Sequence, residues 1–323
     1  ISLGGGLLAA HWLAGLSWSL AAVFSAIVLA TGPTVVTPLV RQIRLAPPLG
    51  EVLEAEGLVL EPIGAVLALL LLELALGNLH GWREVMLGLL YRLGGGVLIG
   101  ASVGWLLSEV LRRLNPDQLK GLPLQLSLGL LFLMYGVSEW LLPESALPAS
   151  VAAGIVVGRR PGPHTAELDG LIQELAQLAI TMLFPLLAAD VSWAELSPLG
   201  WGGILCVMSL MLVVRPIGVG VATMGLPFNV EQRLFLGWLA PRGIVTASVA
   251  SLFAIRLEQA GILGAGRLQG LVFLTILMTV GLQGLTAQPL AQALGLVKVD
   301  DIEPVSAEAA AQTRQVFTDL GQQ

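Results

Sequence analysis

The sequence predicts an all-α polytopic membrane protein with about ten transmembrane helices. Of its 323 residues, 55% are hydrophobic and only 12% are charged, whereas a soluble domain carries about 25% charged residues. Several apolar runs reach the roughly 20 residues that a helix needs to cross a bilayer. Helices are expected because lipid offers backbone groups no hydrogen-bond partner.

Ten apolar segments account for most of the chain. They cover about 3–16, 18–44, 51–76, 83–111, 122–142, 146–158, 168–190, 199–225, 232–256 and 268–292. After Leu296 the chain becomes polar, with Lys298, Asp300 and Asp301. We therefore predict a transmembrane domain over residues 1–296 and a polar tail in water over residues 297–323.

The second segment is interrupted near its middle by Thr31, Gly32 and Pro33. Glycine and proline in mid-span predict a discontinuous helix, in which some backbone carbonyls lose their helical partners. A threonine hydroxyl beside freed carbonyls is a suitable ligand for a small cation. Thr31 is therefore a candidate ion ligand.

The third segment carries Glu61 about half-way across a ~30 Å hydrocarbon layer, counting about 1.5 Å per residue from Glu51. An ionised side chain at that depth costs roughly 3 kcal/mol on insertion scales. Two interpretations remain open: an ion and proton site, or a protonated carboxyl hydrogen-bonded between helices. For Glu56, five residues earlier, we favour a structural ion pair with Arg215 of the eighth segment.

The ninth segment has a similar interruption at Pro241, Arg242 and Gly243. Each break alone is compatible with a simple packing kink. Two breaks in distant segments are typical of inverted-repeat transporters, whose substrate site lies near the bilayer midplane. Arg242 would offset the negative ends of half-helices when no cation is bound.

Basic residues divide unevenly between the two sides that ten crossings would create. One side receives Arg41, Arg44, Arg112, Arg113, Lys120, Arg159, Arg160, Arg233 and Lys298, and the other receives only Arg83, Arg256 and Arg267. Lysine and arginine concentrate in cytoplasmic loops. We expect the crowded side and the C-terminus to face the cytoplasm, with the protein in a prokaryotic inner membrane.

Other function classes find little support in the sequence. His11, His80 and His164 have no metal-ligand spacing, and no glycine-rich loop of the Walker type is present. Cys206 is the only cysteine, so no intrachain disulfide can form. We predict no enzyme activity, no cofactor, no metal beyond a transported cation and no nucleic-acid partner.

Five short stretches resemble the monovalent cation:proton antiporter superfamily, close to its NhaP-type sodium/proton exchangers. They are Ala-Thr-Gly-Pro-Thr-Val-Val at 30–36, Glu-Gly-Leu-Val-Leu-Glu-Pro at 56–62, Val-Arg-Pro at 214–216, Pro-Arg-Gly at 241–243 and Leu-Gln-Gly-Leu-Thr at 282–286. Their order along the chain makes the resemblance specific. It covers nearly all of residues 1–296.

The resemblance implies an inverted-repeat antiporter fold in which the second and ninth segments form two crossed, discontinuous helices. A separate domain would make a homodimer contact and stay still while the core moves. Family members usually have about three more N-terminal helices, which agrees with a chain that opens on Ile1 without a methionine. We therefore expect this sequence to be an N-terminally truncated fragment.

The resemblance also implies roles for individual residues. Glu61 matches the carboxylate that binds the cation or the proton, and Thr31 matches a threonine that binds the cation. Glu56 and Arg215 match a glutamate and an arginine that pair with each other.

At four positions the chain departs from the family pattern. The family usually has Asp where Glu61 stands, Asn where Leu60 stands and Ser where Gly57 stands, and it commonly has Asp where Gly32 stands. Three of these replacements remove polar groups that could contact the ion.

Our leading hypothesis is secondary-active exchange of Na⁺, with K⁺ as a possible substrate, for H⁺. Cation and proton would compete for Glu61, and the apolar Leu60 beside it favours electroneutral one-for-one exchange. One alternative is a gated K⁺ efflux/proton antiport system with a cytosolic regulatory module. Another is a transport-inactive homologue that acts as a scaffold or sensor.

Overall fold

A computed structural model describes residues 1–113, 122–160, 165–189 and 196–297. The helices are α1 (Ser2–Trp12), α2 (Trp18–Ile27), α3 (Pro33–Ile43), α4 (Leu49–Ala75), α5 (Trp82–Arg113), α6 (Leu122–Leu141), α7 (Ala146–Gly158), α8 (Thr165–Ala189), α9 (Gly200–Ser209), α10 (Arg215–Ala222), α11 (Val230–Trp238), α12 (Ile244–Gln259), α13 (Ala265–Met278) and α14 (Gly284–Ala293). The predicted all-helical fold is confirmed, and each of the ten predicted segments is helical. Lys120, His164, Lys298 and the tail from residue 298 lie outside the described residues.

Two of the ten segments contain a turn of π-helix. Leu210–Val214 joins α9 to α10, and Thr279–Gln283 joins α13 to α14. With these joints, the described part of the chain has five continuous helical stretches that are long and apolar enough to cross a membrane: Leu49–Ala75, Trp82–Arg113, Leu122–Leu141, Ser197–Ala222 and Ala265–Ala293. The number of actual crossings stays a prediction.

The second and ninth segments are discontinuous, as predicted. Residues 28–32 separate α2 from α3, and residues 239–243 separate α11 from α12. The two breaks meet, because the Gly32 amide donates a hydrogen bond of 3.2 Å to the Pro241 carbonyl. Two half-helices, α3 and α12, therefore begin at this crossing, and two others, α2 and α11, end near it.

The buried apolar side chains form two clusters, and α4 contributes to both. Leu49 and Leu53 at the start of α4 belong to one cluster, together with side chains of α3, α10, α11 and α14. Residues Val66–Leu72 belong to the other, which also contains side chains of α1, α2, α9, α12 and α13. The stretch of α4 between the clusters contains Gly57 and Glu61. Glu61 thus lies on α4 between the two apolar clusters.

The long helix α5 packs along α7 through a row of glycines. A Cβ atom built on Gly100 would lie 1.9 Å from the Ala149 carbonyl oxygen, and one on Gly104 would lie 2.7 Å from that of Ala153. Only glycine permits this close approach. Several apolar side chains of α5 and α6, such as Leu98 and Trp140, point outward, as expected for surfaces that contact lipid or a partner.

Candidate ion site at the crossing of two broken helices

Where the two breaks cross, Gly32 packs directly against Gly243. A Cβ atom built on Gly32 would lie 2.4 Å from the Cα of Gly243, and one built on Gly243 would lie 2.8 Å from the Cα of Gly32. Pro33 follows at the first position of α3, where a missing amide hydrogen costs nothing. The breaks thus bring the free amides of two helix N-termini and the free carbonyls of two helix C-termini to one place.

Each set of free carbonyls is covered by an arginine. Arg242 donates from Nη1 to the carbonyl oxygens of Leu29 (3.4 Å) and Ala30 (3.0 Å), just beyond α2. Arg215 does the same at the end of α11, donating to the carbonyls of Leu236 (3.3 Å) and Leu239 (3.4 Å). A positive charge at the C-terminal end of a helix is favourable because that end carries negative partial charge.

Arg215 also holds Glu56 of α4 in a two-pronged ion pair. Its Nη2 donates to Oε2 of Glu56 at 2.7 Å, and its Nη1 contacts Oε1 of the same carboxylate. The two side chains are 12% and 22% exposed. This pair was predicted from the sequence, whereas the contact by which Arg215 also joins α4 to the end of α11 was not.

Two buried side chains from the π-helical turn hold the second break in place. The Gln283 side-chain oxygen accepts from the Ala240 amide at 3.0 Å, and the Thr279 hydroxyl accepts from the Arg242 amide at 3.3 Å. Because Thr279 and Gln283 are four residues apart, they face the same way. Neither residue was predicted to have a role, although a glutamine within an apolar run is itself a signal of a buried polar contact.

Glu61 lies on α4 between two glycines that let the helix approach the first break. A Cβ on Gly57 would lie 3.3 Å from the Thr31 carbonyl oxygen, and one on Gly64 would lie 3.2 Å from that of Ala26. Glu61 is only 8% exposed, and its Oε1 has no hydrogen-bond partner among the described residues. A buried polar atom without a partner calls for an explanation such as a bound ion or water.

Three threonine hydroxyls near the breaks resemble the Glu61 oxygen in lacking a hydrogen-bond partner. The Oγ1 atoms of Thr31, Thr34 and Thr246 are buried and make no hydrogen bond within the part of the chain that the structure describes. All three lie next to a break: Thr31 within the first, Thr34 just after it and Thr246 just after the second. Thr31 was predicted from the sequence as a candidate ligand, whereas Thr34 and Thr246 were not.

Two cavities adjoin these groups. A small one of about 10 Å³ is lined by Glu61 and Thr246 together with apolar side chains. A large one of about 960 Å³ reaches Glu56, Arg215 and Arg242. Among the described residues, no group of three or more His, Cys, Asp or Glu side chains is placed to hold a resident metal ion. Hydroxyl, carboxylate and carbonyl oxygens are instead the ligands that suit a hard cation.

Comparisons with known proteins identify the family of this chain. The family model described as "Sodium/hydrogen exchanger, transmembrane" matches residues 1–293. A probable Na⁺/H⁺ antiporter 2 of Methanocaldococcus jannaschii is 26% identical over 297 residues, which are 84% of this chain and 69% of that protein. The K⁺/H⁺ antiporter NhaP2 of Shewanella oneidensis is 26% identical over 300 residues, which are 90% of this chain and half of that protein.

The fold is also that of a solved structure. The sodium proton antiporter MjNhaP1 from Methanocaldococcus jannaschii at pH 8 superimposes with a TM-score of 0.77 at 23% identity, covering 90% of this chain and 75% of that one. The family and its structural neighbours are transporters and not enzymes. This chain is an integral membrane protein and belongs to the sodium/hydrogen exchanger family.

Proposed function

We propose that this protein exchanges Na⁺ for H⁺ across the membrane, and that cation and proton compete for Glu61. The observation that carries the proposal is the buried carboxylate with an unpartnered oxygen, set beside the crossing of two broken helices. Relatives that are 26% identical to this chain over the aligned residues are named Na⁺/H⁺ and K⁺/H⁺ antiporters, which supports cation/proton exchange in general. Na⁺ is our preferred cation, and K⁺ is the outcome that would revise it.

Competition follows from the surroundings of Glu61. Leaving an isolated carboxylate in an apolar setting is costly, so the site is stabilised either by a proton on the carboxyl or by a cation beside it. A cation needs the ionised carboxylate, and a proton abolishes it. The cation and the proton exclude each other at Glu61, and the empty carboxylate is too costly to change sides alone. The site therefore changes sides with one of the two ligands bound, and this couples the two fluxes.

The oxygens around the breaks complete the cation site in this proposal. Thr31 offers a buried hydroxyl without a partner. The Gly32–Gly243 contact holds the two breaks together, and Arg242 balances the Leu29 and Ala30 carbonyls when no cation is present. Pro33 and Pro241 serve to keep the backbone of each break from closing into helix.

We further propose that exchange is electroneutral, with one cation for one proton. Beside Glu61, Leu60 has no polar group. The next carboxylate on the helix, Glu56, is already balanced by Arg215. Only one group therefore changes its proton as the ion binds, and the loaded site carries the same charge in both states. A flux that depends steeply on membrane potential would contradict this part of the proposal.

Alternating access would come from movement of a core against a separate, stationary domain. In this proposal the core consists of α1–α4 and α9–α14, which include the two broken helices. The stationary domain consists of α5–α8. We propose a homodimer in a prokaryotic inner membrane with the C-terminus in the cytoplasm. The outward apolar faces of α5 and α6 are compatible with a dimer contact or with lipid.

The test is cation-driven proton flux in proteoliposomes, with Na⁺, K⁺ and Li⁺ each tried between pH 6 and 9. We expect flux from the wild-type protein and none from Glu61→Gln, which keeps the shape of the side chain but cannot ionise. The matched control is Glu51→Gln, because Glu51 lies on the same helix and is exposed; its flux should equal that of the wild type.

The possible results separate the functions. Flux with Na⁺ that disappears only in Glu61→Gln supports the proposal, and flux with K⁺ alone moves the assignment to K⁺/H⁺ exchange. Equal flux from the wild type and Glu61→Gln refutes competition at Glu61. An absence of flux with every cation would favour a transport-inactive scaffold or sensor.

A further inference from the structure

Thr246 is a buried threonine whose hydroxyl lacks the partner that helical threonines normally have. A threonine in a helix usually bonds to the carbonyl four residues earlier, as Thr275 does with Leu271 at 2.7 Å and Thr181 with Gln177 at 2.8 Å. Thr246 is the third residue of α12, and the residue four positions earlier is Arg242 in the break. The break therefore removes the usual acceptor and leaves the hydroxyl free.

Thr246 and Glu61, each with an unpartnered buried oxygen, line the same small cavity. Glu61 and Thr246 line a space of about 10 Å³, roughly the size that holds one water molecule or one dehydrated small cation. Both side chains are more than nine-tenths buried. The remaining lining side chains are apolar: Ile27, Ala30, Ala65, Val245 and Val249. Among the residues that line this cavity, Glu61 and Thr246 are the two with a buried side-chain oxygen that has no hydrogen-bond partner within the described residues.

We propose that Thr246 is a cation ligand contributed by the second broken helix, and that its hydroxyl and methyl groups set which cation the Glu61 site accepts. The inference rests on the proposed exchange function. The Thr246 hydroxyl directs a lone pair at a cation held by the ionised carboxylate. When Glu61 is protonated, the same oxygen accepts a hydrogen bond from the carboxyl, so neither state leaves it unsatisfied.

A ligand from α12 would also replace the polar side chains that α4 lacks next to Glu61. In the turn of α4 before Glu61, neither Gly57 nor Leu60 has an oxygen in its side chain. A Cβ on Gly57 would already lie 3.3 Å from the Thr31 carbonyl oxygen, so a larger side chain there has little room. The Thr246 hydroxyl of α12, which lines the same cavity as Glu61, completes the shell instead.

The experiment compares Thr246→Val with Thr246→Ser in the same flux assay. Valine keeps the volume and removes the hydroxyl, and we expect it to raise the KM for Na⁺ roughly tenfold, equivalent to about 1.4 kcal/mol. Serine keeps the oxygen and removes a methyl group, which enlarges the cavity. We expect its KM for Na⁺ to stay within about twofold of the wild type and its KM for K⁺ to fall relative to that for Na⁺.

The matched control is Thr275→Val, because Thr275 is equally buried but its hydroxyl is bonded within its own helix. It should leave both KM values unchanged. A second readout is the rise in melting temperature of the purified protein on adding NaCl, compared with choline chloride at equal ionic strength. We expect Thr246→Val to lose most of that rise and Thr275→Val to keep it.

The outcomes distinguish this inference from the function on which it rests. No flux from the wild type would overturn the exchange function itself. Normal wild-type flux and a silent Glu61→Gln, together with KM values for Thr246→Val equal to those of Thr275→Val, would overturn only the role of Thr246. If Thr246→Val does not fold, Thr246→Ser decides, and an unchanged ratio of K⁺ to Na⁺ KM values overturns the inference.

Discussion

Adding one methyl group at the crossing of the breaks tests whether the Gly32–Gly243 contact holds the core together. The backbone angles of Gly32 (φ −78°, ψ 110°) and Gly243 (φ −102°, ψ −174°) are open to any residue. Replacing Gly32 with alanine therefore introduces no backbone strain. Its whole effect comes from the space that the new Cβ atom needs.

The size of that effect follows from the distances. A Cβ on Gly32 would lie 2.4 Å from the Gly243 Cα, whereas ordinary contact begins at 3.4 Å, so the two backbones must separate by about 1 Å. That movement breaks the 3.2 Å hydrogen bond from the Gly32 amide to Pro241. Overpacking costs typically 1–3 kcal/mol and a lost hydrogen bond about 1 kcal/mol. We expect Gly32→Ala to lower the free energy of unfolding by about 3 kcal/mol.

Gly243→Ala should cost less than Gly32→Ala. Its Cβ would meet the Gly32 Cα at 2.8 Å and the Thr34 hydroxyl at 3.0 Å, and the hydroxyl can rotate away. Once one alanine has separated the backbones, a second finds more room. The double variant should therefore be less destabilised than the sum of the two single variants.

The assay is thermal unfolding of the purified protein in detergent, followed by flux in proteoliposomes. We expect a fall in melting temperature on the order of 5–10 °C for Gly32→Ala, with loss of exchange. Gly220→Ala is the control, because Gly220 lies in α10 and its Cβ would meet nothing within 4 Å. Alanine there should be neutral or stabilising by up to about 1 kcal/mol. If Gly32→Ala melts and transports like Gly220→Ala, the close crossing of the breaks does not exist.

Two further predictions concern charged groups. Glu56→Gln should lower the free energy of unfolding by about 3 kcal/mol because it leaves the Arg215 charge largely buried and unpaired. Glu109→Gln breaks the exposed pair between Glu109 and Arg113, and we expect it to lower the free energy of unfolding by under about 1 kcal/mol. Equal losses for Glu56→Gln and Glu109→Gln in denaturation experiments would contradict the Glu56 prediction. Burial, and next the nearby Glu139, raise the pKa of Glu144 in the α6–α7 loop from 4.5 to about 7. Since the folded state holds that proton more tightly, the free energy of unfolding should fall by about 1–3 kcal/mol as the pH rises from about 4.5 to 7. Glu144→Gln should flatten this part of the profile of melting temperature against pH. A profile that Glu144→Gln leaves unchanged would contradict the assignment.

Much of the fold could be predicted because lipid restricts what a chain can do. Backbone groups in lipid must bond within their own segment, so long apolar runs become helices. Gly32-Pro33 and Pro241-Arg242-Gly243 interrupt two of those runs with residues that cannot continue a helix well. The all-helical fold and both discontinuous helices followed from these local patterns.

The pairing of distant groups was only partly accessible. A buried glutamate and a buried arginine at similar depths suggest each other, because neither is tolerated alone, and this led from Glu56 to Arg215. A buried threonine carries no such requirement, since in most helices its hydroxyl bonds to its own backbone. The sequence therefore contained no sign that Thr246 lines the same small cavity as Glu61.

The sequence by itself determined the helical segments, the positions of the two breaks and the presence of charges at the depth of the bilayer midplane. Only the tertiary structure decided that Gly32 touches Gly243, that Arg215 covers the end of α11, and that Gln283 holds the second break. The physical reason is the range of the interactions. Helix formation depends on hydrogen bonds four residues apart, whereas contacts between the breaks join residues more than 200 positions apart through the packing of whole helices.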